Sequence, residues 1–112
     1  MRMIEYGKIK FEVNGILFTW DDKKAESNFR KHGVSFAEAA AIFLDENMWI
    51  EVNSYDEYTG EERLQAVGLV YGDIMYMVYV EHITLNNEDI IRIISARNAT
   101  KEEEEFYAYG LA

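Results

Sequence analysis

Three β-rich segments follow one another closely in the second half of the 112-residue chain, and they restrict its possible folds more than any other feature. Residues 64–71 and 74–80 are joined by Gly72-Asp73, which favours a tight hairpin. Residues 90–96 are the richest in β-branched side chains, so we expect a central strand there, preceded by a turn at Asn86-Asn87. Strands linked by short turns favour an antiparallel sheet and argue against a doubly wound one.

Local signals at the start of the chain predict a hairpin followed by a helix. Residues 8–19 are typical of extended structure, and Asn14-Gly15 is a pair favoured in two-residue hairpin turns. Asp21 can cap the free N–H groups of a helix over residues 22–32. Gly33 is suited to the left-handed position that ends such a helix.

Further capping signals divide the rest of the chain into elements. Ser35 and Glu38 form a capping box, which predicts a second helix that continues to Leu44. The other predicted elements are a weakly alternating strand over residues 48–53, a polar loop over residues 55–62, and a last helix that opens with a capping box at residues 100–103 and runs through Tyr109.

The predicted order of elements is β-α-α-β-β-β-α. Two early helices followed by consecutive strands predict an α+β fold, with an antiparallel sheet, two N-terminal helices and a short C-terminal helix. No repeat or linker interrupts the chain, and its length fits one domain. We therefore expect residues 1–112 to form a single domain.

Charge and composition limit the function of the chain. The 21 acidic and 11 basic residues give a net charge of −10, which opposes nucleic acid at long range. Any RNA contact must therefore use a local basic patch, whereas a basic protein partner is the easier electrostatic match. The absence of cysteine excludes disulfides and thiolate chemistry. The longest apolar run, residues 74–80, is far shorter than a membrane span and no signal peptide is evident, so we expect a cytoplasmic protein without a membrane partner.

Three motifs in a fixed order make the sequence resemble the BrnT toxin family. The similarity extends from about Phe18 to Tyr107. The residues that carry it are Trp20-Asp21 with Lys24, Asn28 and Lys31-His32-Gly33-Val34-Ser35-Phe36; Gly60-Glu61-Glu62-Arg63 followed by Gly68; and Arg92-Ile93-Ile94-Ser95-Ala96-Arg97-Asn98-Ala99-Thr100 with Glu103 and Tyr107.

The resemblance implies a RelE-like α+β fold and a ribonuclease toxin of a type II toxin–antitoxin pair. RNA would be its substrate, and RNA cleavage without a metal would inhibit translation. A ribbon-helix-helix antitoxin similar to BrnA would be its partner, and DNA would be contacted only indirectly through that antitoxin. An alternative is that the chain keeps the toxin fold but has lost nuclease activity and acts by binding the antitoxin.

Arginines are the first candidates for chemistry, because metal-free RNA cleavage needs a cation at the crowded phosphorane besides a base and an acid. Arg63, Arg92 and Arg97 are expected on or beside the sheet. In an uninterrupted strand Arg92 and Arg97 face opposite sides, unless the strand ends or bulges between them. Arg97 is the leading candidate because it precedes a capped helix and can turn there. For each arginine, an ion pair with a carboxylate is the alternative.

Histidine supplies the acid/base candidate. His32 is predicted at the C-terminal end of the first helix, where the helix dipole favours the charged imidazole. A hydrogen bond from His32 to a free backbone carbonyl is the alternative interpretation. His82 is expected on the surface near a strand end. Two histidines 50 positions apart give no recognisable zinc pattern, so neither a metal nor another cofactor is expected.

Two lysines and one tyrosine complete the candidates. Lys24 and Lys31 are seven residues apart on the predicted first helix and therefore share a face that can track phosphates. An ordinary solvated helix face is the alternative. Tyr107 can stack on a base or help to position the phosphate, or it can pack back onto the sheet.

Overall fold

The computed structural model describes residues 9–83 and 87–110. Its elements are β1 (Phe11–Val13), β2 (Ile16–Thr19), α1 (Asp22–His32), α2 (Phe36–Ala40), a 3₁₀ turn (Ala41–Leu44), β3 (Trp49–Tyr55), β4 (Glu62–Val70), β5 (Asp73–Ile83), β6 (Asp89–Asn98) and α3 (Lys101–Gly110). No helix in this part of the chain is long and apolar enough to cross a membrane. Lys8 and the first residue of the turn predicted at Asn86-Asn87 lie outside the described residues.

The six strands form one sheet in the order β1-β2-β6-β5-β4-β3. The α+β class and the central position of residues 90–96 are confirmed. The purely antiparallel sheet is wrong, because β2 pairs with β6 in parallel, with Leu17 opposite Ile90. The abbreviated order β-α-α-β-β-β-α undercounts the strands, since the predicted N-terminal hairpin supplies two of them and each of the four segments predicted as strands after the helices forms one.

The helix ends follow the local signals. Asp21 accepts hydrogen bonds from the backbone N–H groups of Lys23 and Lys24, and Gly33 ends α1 in the left-handed region with φ 71°. The capping box of Ser35 and Glu38 is formed with both of its hydrogen bonds. The helix predicted to reach Leu44 is shorter, because its last turn tightens into the 3₁₀ turn.

The sheet is covered unequally on its two faces. On one face, α1, α2 and the 3₁₀ turn build the main core, which contains Phe18, Phe36, Ile42, Met77 and Tyr79, among others. On the other face, Tyr107 of α3 packs in a small cluster with Val67, Tyr76 and Val78. We call this second side the α3 face. α3 is a ten-residue helix and packs on this face through Tyr107.

One buried polar side chain joins α1 to the edge of β6. β2 pairs with β6 only as far as Arg92. Farther along β6, Asn28 donates from Nδ2 to the Ala96 carbonyl at 2.8 Å and accepts from the Ala96 N–H at 3.1 Å. It also donates to the Val34 carbonyl at 3.3 Å. Asn28 thus replaces a neighbouring strand for this part of β6.

Candidate active site

A β-bulge in β6 decides where the arginines of this strand point. Val78 of β5 lies opposite Ser95, whereas the next residue, Tyr79, lies opposite Ile93. Ile94 is therefore an extra residue between two ladder positions. Such a residue shifts the alternation of side chains by one position on one side of the bulge.

The bulge brings Arg92 and Arg97 to the same side of the sheet. Arg92 lies opposite Val80 and Arg97 lies opposite Tyr76. Val80 and Tyr76 are four residues apart in β5, so their side chains point in the same direction. This side is the α3 face, to whose cluster Tyr76 belongs. From the sequence, both arginines could share a face only if the strand ended or bulged between them, and the bulge at Ile94 meets this condition.

Arg63 is the third arginine on the α3 face. Leu64 lies opposite Tyr79, so the next position along β4 places Arg63 beside Val80. Val80 has Arg92 on its other side. The two arginines therefore flank the same residue of β5, one from each neighbouring strand.

Glu61 lies between these two guanidinium groups. Its carboxylate is 2.7 Å from Arg92 Nη2 and 4.0 Å from Arg63 Nε. The side chains of Glu61 and Arg92 are mostly buried. The ion pairs that the sequence offered as an alternative for Arg63 and Arg92 are thus present, and both converge on one carboxylate.

His82 lies beside this group. His82 and Glu61 line one cleft of about 320 Å³, together with Thr59, Gly60, Glu62, Leu64, Val80 and Glu81. Burial lowers the pKa of His82, the Arg92 charge lowers it further, and the Glu61 charge acts in the opposite sense. His82 lies near the end of β5, as expected, and its side chain is half-buried where it lines this cleft.

Arg97 is held at the other end of the α3 face. Its guanidinium donates two hydrogen bonds to Glu103 of α3, at 2.7 and 3.0 Å, and lies 3.9 Å from the ring centroid of Tyr76. The hydrogen bonds with Glu103 raise the pKa of Arg97, and the hydrogen bond from Arg97 is the main cause that lowers the pKa of Glu103. The ion pair that was the alternative for Arg97 is therefore present too. Both Nη atoms of its planar guanidinium donate to the Glu103 carboxylate.

Tyr107 is buried and fixes α3 rather than offering a ring for stacking. Its hydroxyl donates to the carboxylate of Asp45, which also accepts from the Leu69 N–H at 2.8 Å. Burial raises the pKa of Tyr107 to about 12, and the hydrogen bond and charge of Asp45 act in the same direction. Burial acts to raise the pKa of Asp45, but its hydrogen bonds with Leu69, Tyr107 and Asn47 hold that pKa below its ordinary value.

The predicted RNA-binding lysines and His32 lie together in a separate cleft. This cleft, of about 240 Å³, separates α1 from β6 and is lined by Lys24, Ser27, Asn28, Lys31, His32, Ile94 and Ser95. Lys24, Lys31 and His32 are exposed. The structure therefore brings the basic helix face and His32 together, and it brings Arg63 and Arg92 together elsewhere. None of the three sheet arginines lines the α1 cleft.

Sequence reasoning missed Glu61 and His82 as parts of a site. Glu61 belongs to the middle motif, but its contact with Arg92 spans 31 positions and leaves no local pattern. His82 follows Val80 by two residues in a strand, so the two side chains point to the same side of the sheet. This spacing was the signal that could have placed His82 near the arginines. Among the described residues, no group of three or more His, Asp or Glu side chains is arranged to hold a metal ion.

The fold and this face define a small α+β domain whose sheet carries three arginines on one side, each beside a carboxylate. A family model described as the ribonuclease toxin, BrnT, of type II toxin–antitoxin systems matches residues 20–103. The chain belongs to this family, and the resemblance found in the sequence is confirmed. No match was found among curated proteins. Proteins of this family are ribonuclease toxins, and a type II system pairs the toxin with a protein antitoxin.

Proposed function

We propose that this chain is a metal-independent endoribonuclease whose RNA cleavage inhibits translation, and that the α3 face is its active site. The observation that carries the proposal is the bulge at Ile94, because it places Arg92 and Arg97 on the face that also bears Arg63. RNA presents a phosphate at every nucleotide, and guanidinium groups bind two phosphate oxygens at once. Three of them on one open face suit a single RNA strand.

Each arginine has a distinct task in this proposal. Arg63 and Arg92 bind the scissile phosphate, and the phosphate competes with Glu61 for their donors. A guanidinium has five N–H donors, so Arg92 can bind a phosphate oxygen while it keeps its bond to Glu61. Arg97, held by Glu103, binds a flanking phosphate about 13 Å away along β5, given four residues at about 3.3 Å each. Tyr107 acts as a positioning residue, since it anchors the helix that carries Glu103.

The α1 cleft is proposed to bind the RNA strand outside the site of cleavage. Lys24 and Lys31 supply two exposed positive charges beside His32. Exposed lysines contribute to nucleic-acid affinity by releasing counterions, whatever the base sequence. The cleft borders Ile94 and Ser95, which lie between Arg92 and Arg97 in sequence. A strand bound in this cleft therefore approaches the bulge itself.

The remaining parts of the proposal concern the protein partner and the setting. We propose a RelE-like arrangement, a single domain over residues 1–112 and a cytoplasmic location. The antitoxin is proposed to be a ribbon-helix-helix protein similar to BrnA, which alone contacts DNA. The net charge of −10 and the exposed Glu102, Glu104 and Glu105 of α3 favour a basic partner.

A cleavage assay with labelled RNA and excess chelator tests the proposed activity. We expect the wild type to cleave without added metal and Arg92→Gln to lose about 100-fold to 1,000-fold, as when one donor to a developing anion is removed. Arg30→Gln is the matched control, since Arg30 is exposed on α1 and pairs only with Glu26 among the described ion pairs. Induced expression of the wild type should arrest growth. Normal growth with soluble protein and no RNA cleavage would contradict the nuclease and leave antitoxin binding as the function.

A further inference from the structure

His82 lies at the end of the α3 face where two arginines converge. It follows Val80 by two residues in β5, so the two side chains point to the same side. Val80 is the residue that Arg63 and Arg92 flank. Resting on the proposed function, we propose that His82 is the general base of RNA cleavage and accepts the proton of the ribose 2′-hydroxyl.

The geometry favours His82 over His32 for this task. A base must lie within hydrogen-bond reach of the 2′-hydroxyl, next to the phosphate that the arginines hold. His82 shares a cleft with Glu61, which is bonded to Arg92 and lies within 4.0 Å of Arg63. His32 lines the α1 cleft, where the other basic side chains are Lys24 and Lys31 and no arginine contributes to the lining. The imidazole nearest to the guanidinium pair is therefore that of His82.

The charges around His82 suit a base. Arg92 lies two positions along β6 from Ile90, the residue opposite His82, and its charge acts on the imidazole. Glu61, just before β4, and Glu62, its first residue, line the same cleft, and Glu81 precedes His82 in β5. Burial and Arg92 hold the pKa of His82 below its ordinary value, against the influence of Glu61. Burial thus favours the neutral imidazole, which is the form that accepts a proton.

The reaction balances without a co-reactant. His82 takes the proton from the 2′-hydroxyl as the 2′-oxygen forms a bond to phosphorus, and the bond between phosphorus and the 5′-oxygen breaks. Arg63 and Arg92 stabilise the extra negative charge on the phosphorane oxygens. The leaving 5′-oxygen takes a proton from water, and His82 returns its proton to solvent. The products are a 2′,3′-cyclic phosphate and a free 5′-hydroxyl.

The two histidines of the chain provide a matched test. We expect His82→Gln to lower the single-turnover cleavage rate by at least about 100-fold, as removal of a general base does. His32→Gln, at the proposed RNA-binding cleft, should lose far less, and Arg30→Gln, an exposed position on α1, is the control that should stay within about threefold of the wild type. Urea unfolding of both variants checks that they fold. Loss of activity in His32→Gln together with full activity in His82→Gln would overturn the proposal while leaving the nuclease intact. No cleavage by the wild type would instead overturn the proposed function.

A second variant keeps the test decisive if His82→Gln is unstable. Glu61→Gln removes the charge that raises the pKa of His82, so the acidic limb of the rate–pH profile should move to lower pH. A structural role of Glu61 would lower the rate without moving that limb. An unmoved limb in a folded, active Glu61→Gln protein would overturn the assignment of the base.

Discussion

Asn28 offers the sharpest test of how the candidate active strand is held in place. Its side-chain amide occupies both the N–H and the carbonyl of Ala96, which is fully buried in β6. Asn28→Ala leaves both backbone groups without their partner, within the strand that carries Arg92 and Arg97. We therefore expect a large loss of stability and an impaired site from a residue that need not touch RNA.

The size of the effect follows from the number of groups left unsatisfied. Each buried donor or acceptor that loses its partner costs about 1–3 kcal/mol, so the two groups of Ala96 together cost about 2–6 kcal/mol. Alanine is the better helix former and returns about 0.6 kcal/mol in α1. A net loss of about 3 kcal/mol is a large share of the about 5–15 kcal/mol by which such domains are stable.

Urea unfolding followed by circular dichroism measures this loss. With a slope of about 1.5 kcal/mol per molar urea, the midpoint should fall by about 2 M. Ser27→Ala is the control, since Ser27 is the exposed neighbour of Asn28 on α1, and its midpoint should move by less than about 0.3 M. A loss below about 1 kcal/mol in Asn28→Ala would refute the argument that this amide substitutes for a neighbouring strand.

Three further predictions test the packing, an ion pair and the RNA-binding helix. Gly68→Ala places a Cβ 2.9 Å from Ile42 Cγ2 and 3.2 Å from Asp45 Oδ2, so we expect urea unfolding to show a loss of about 1–3 kcal/mol, whereas Gly110→Ala, which meets open space, should change little. The hydrogen bond from Arg97 lowers the pKa of Glu103. The ionised Glu103 carboxylate therefore stabilises the folded protein at pH values above its unfolded-state pKa, and this stabilisation is lost as the pH falls through the folded-state pKa. The free-energy gap between wild type and Glu103→Gln should thus shrink on acidification below about pH 4.5, and a constant gap would contradict this. Lys24→Gln with Lys31→Gln should weaken single-stranded RNA binding in a salt titration and reduce the slope of log K by about 0.7 per lost contact, whereas Lys23→Gln with Lys101→Gln should lose less.

Features that depend on neighbouring residues were predictable from the sequence. The Asp21 cap, the left-handed Gly33 and the capping box of Ser35 all form as predicted, because each is decided within a few residues. The strands of the second half were also predicted, since their composition and the Gly72 turn are local signals.

Features that depend on distant residues were not predictable in the same way. The parallel pairing of β2 with β6 joins positions about 70 residues apart, and nothing near Leu17 indicates it. The bulge at Ile94 is decided by the register with β5, and only the need for it could be stated from the sequence. The sequence predicted carboxylate partners for the arginines, but only the fold identifies Glu61 and Glu103 as those partners.

The place of β6 in the sheet determines when during synthesis the proposed active face can form. β6 is the last of the described strands in sequence, yet it lies between β2 and β5. A nascent chain without it has only two separate pieces of sheet and lacks both Arg92 and Arg97. Ribosomes add about 5–20 residues per second, and such long-range pairing forms slowly, so the arginine-bearing face assembles seconds after the N-terminal helices emerge. The topology thus delays the proposed RNA-cleaving face, and an antitoxin that is already folded can bind this face as it forms.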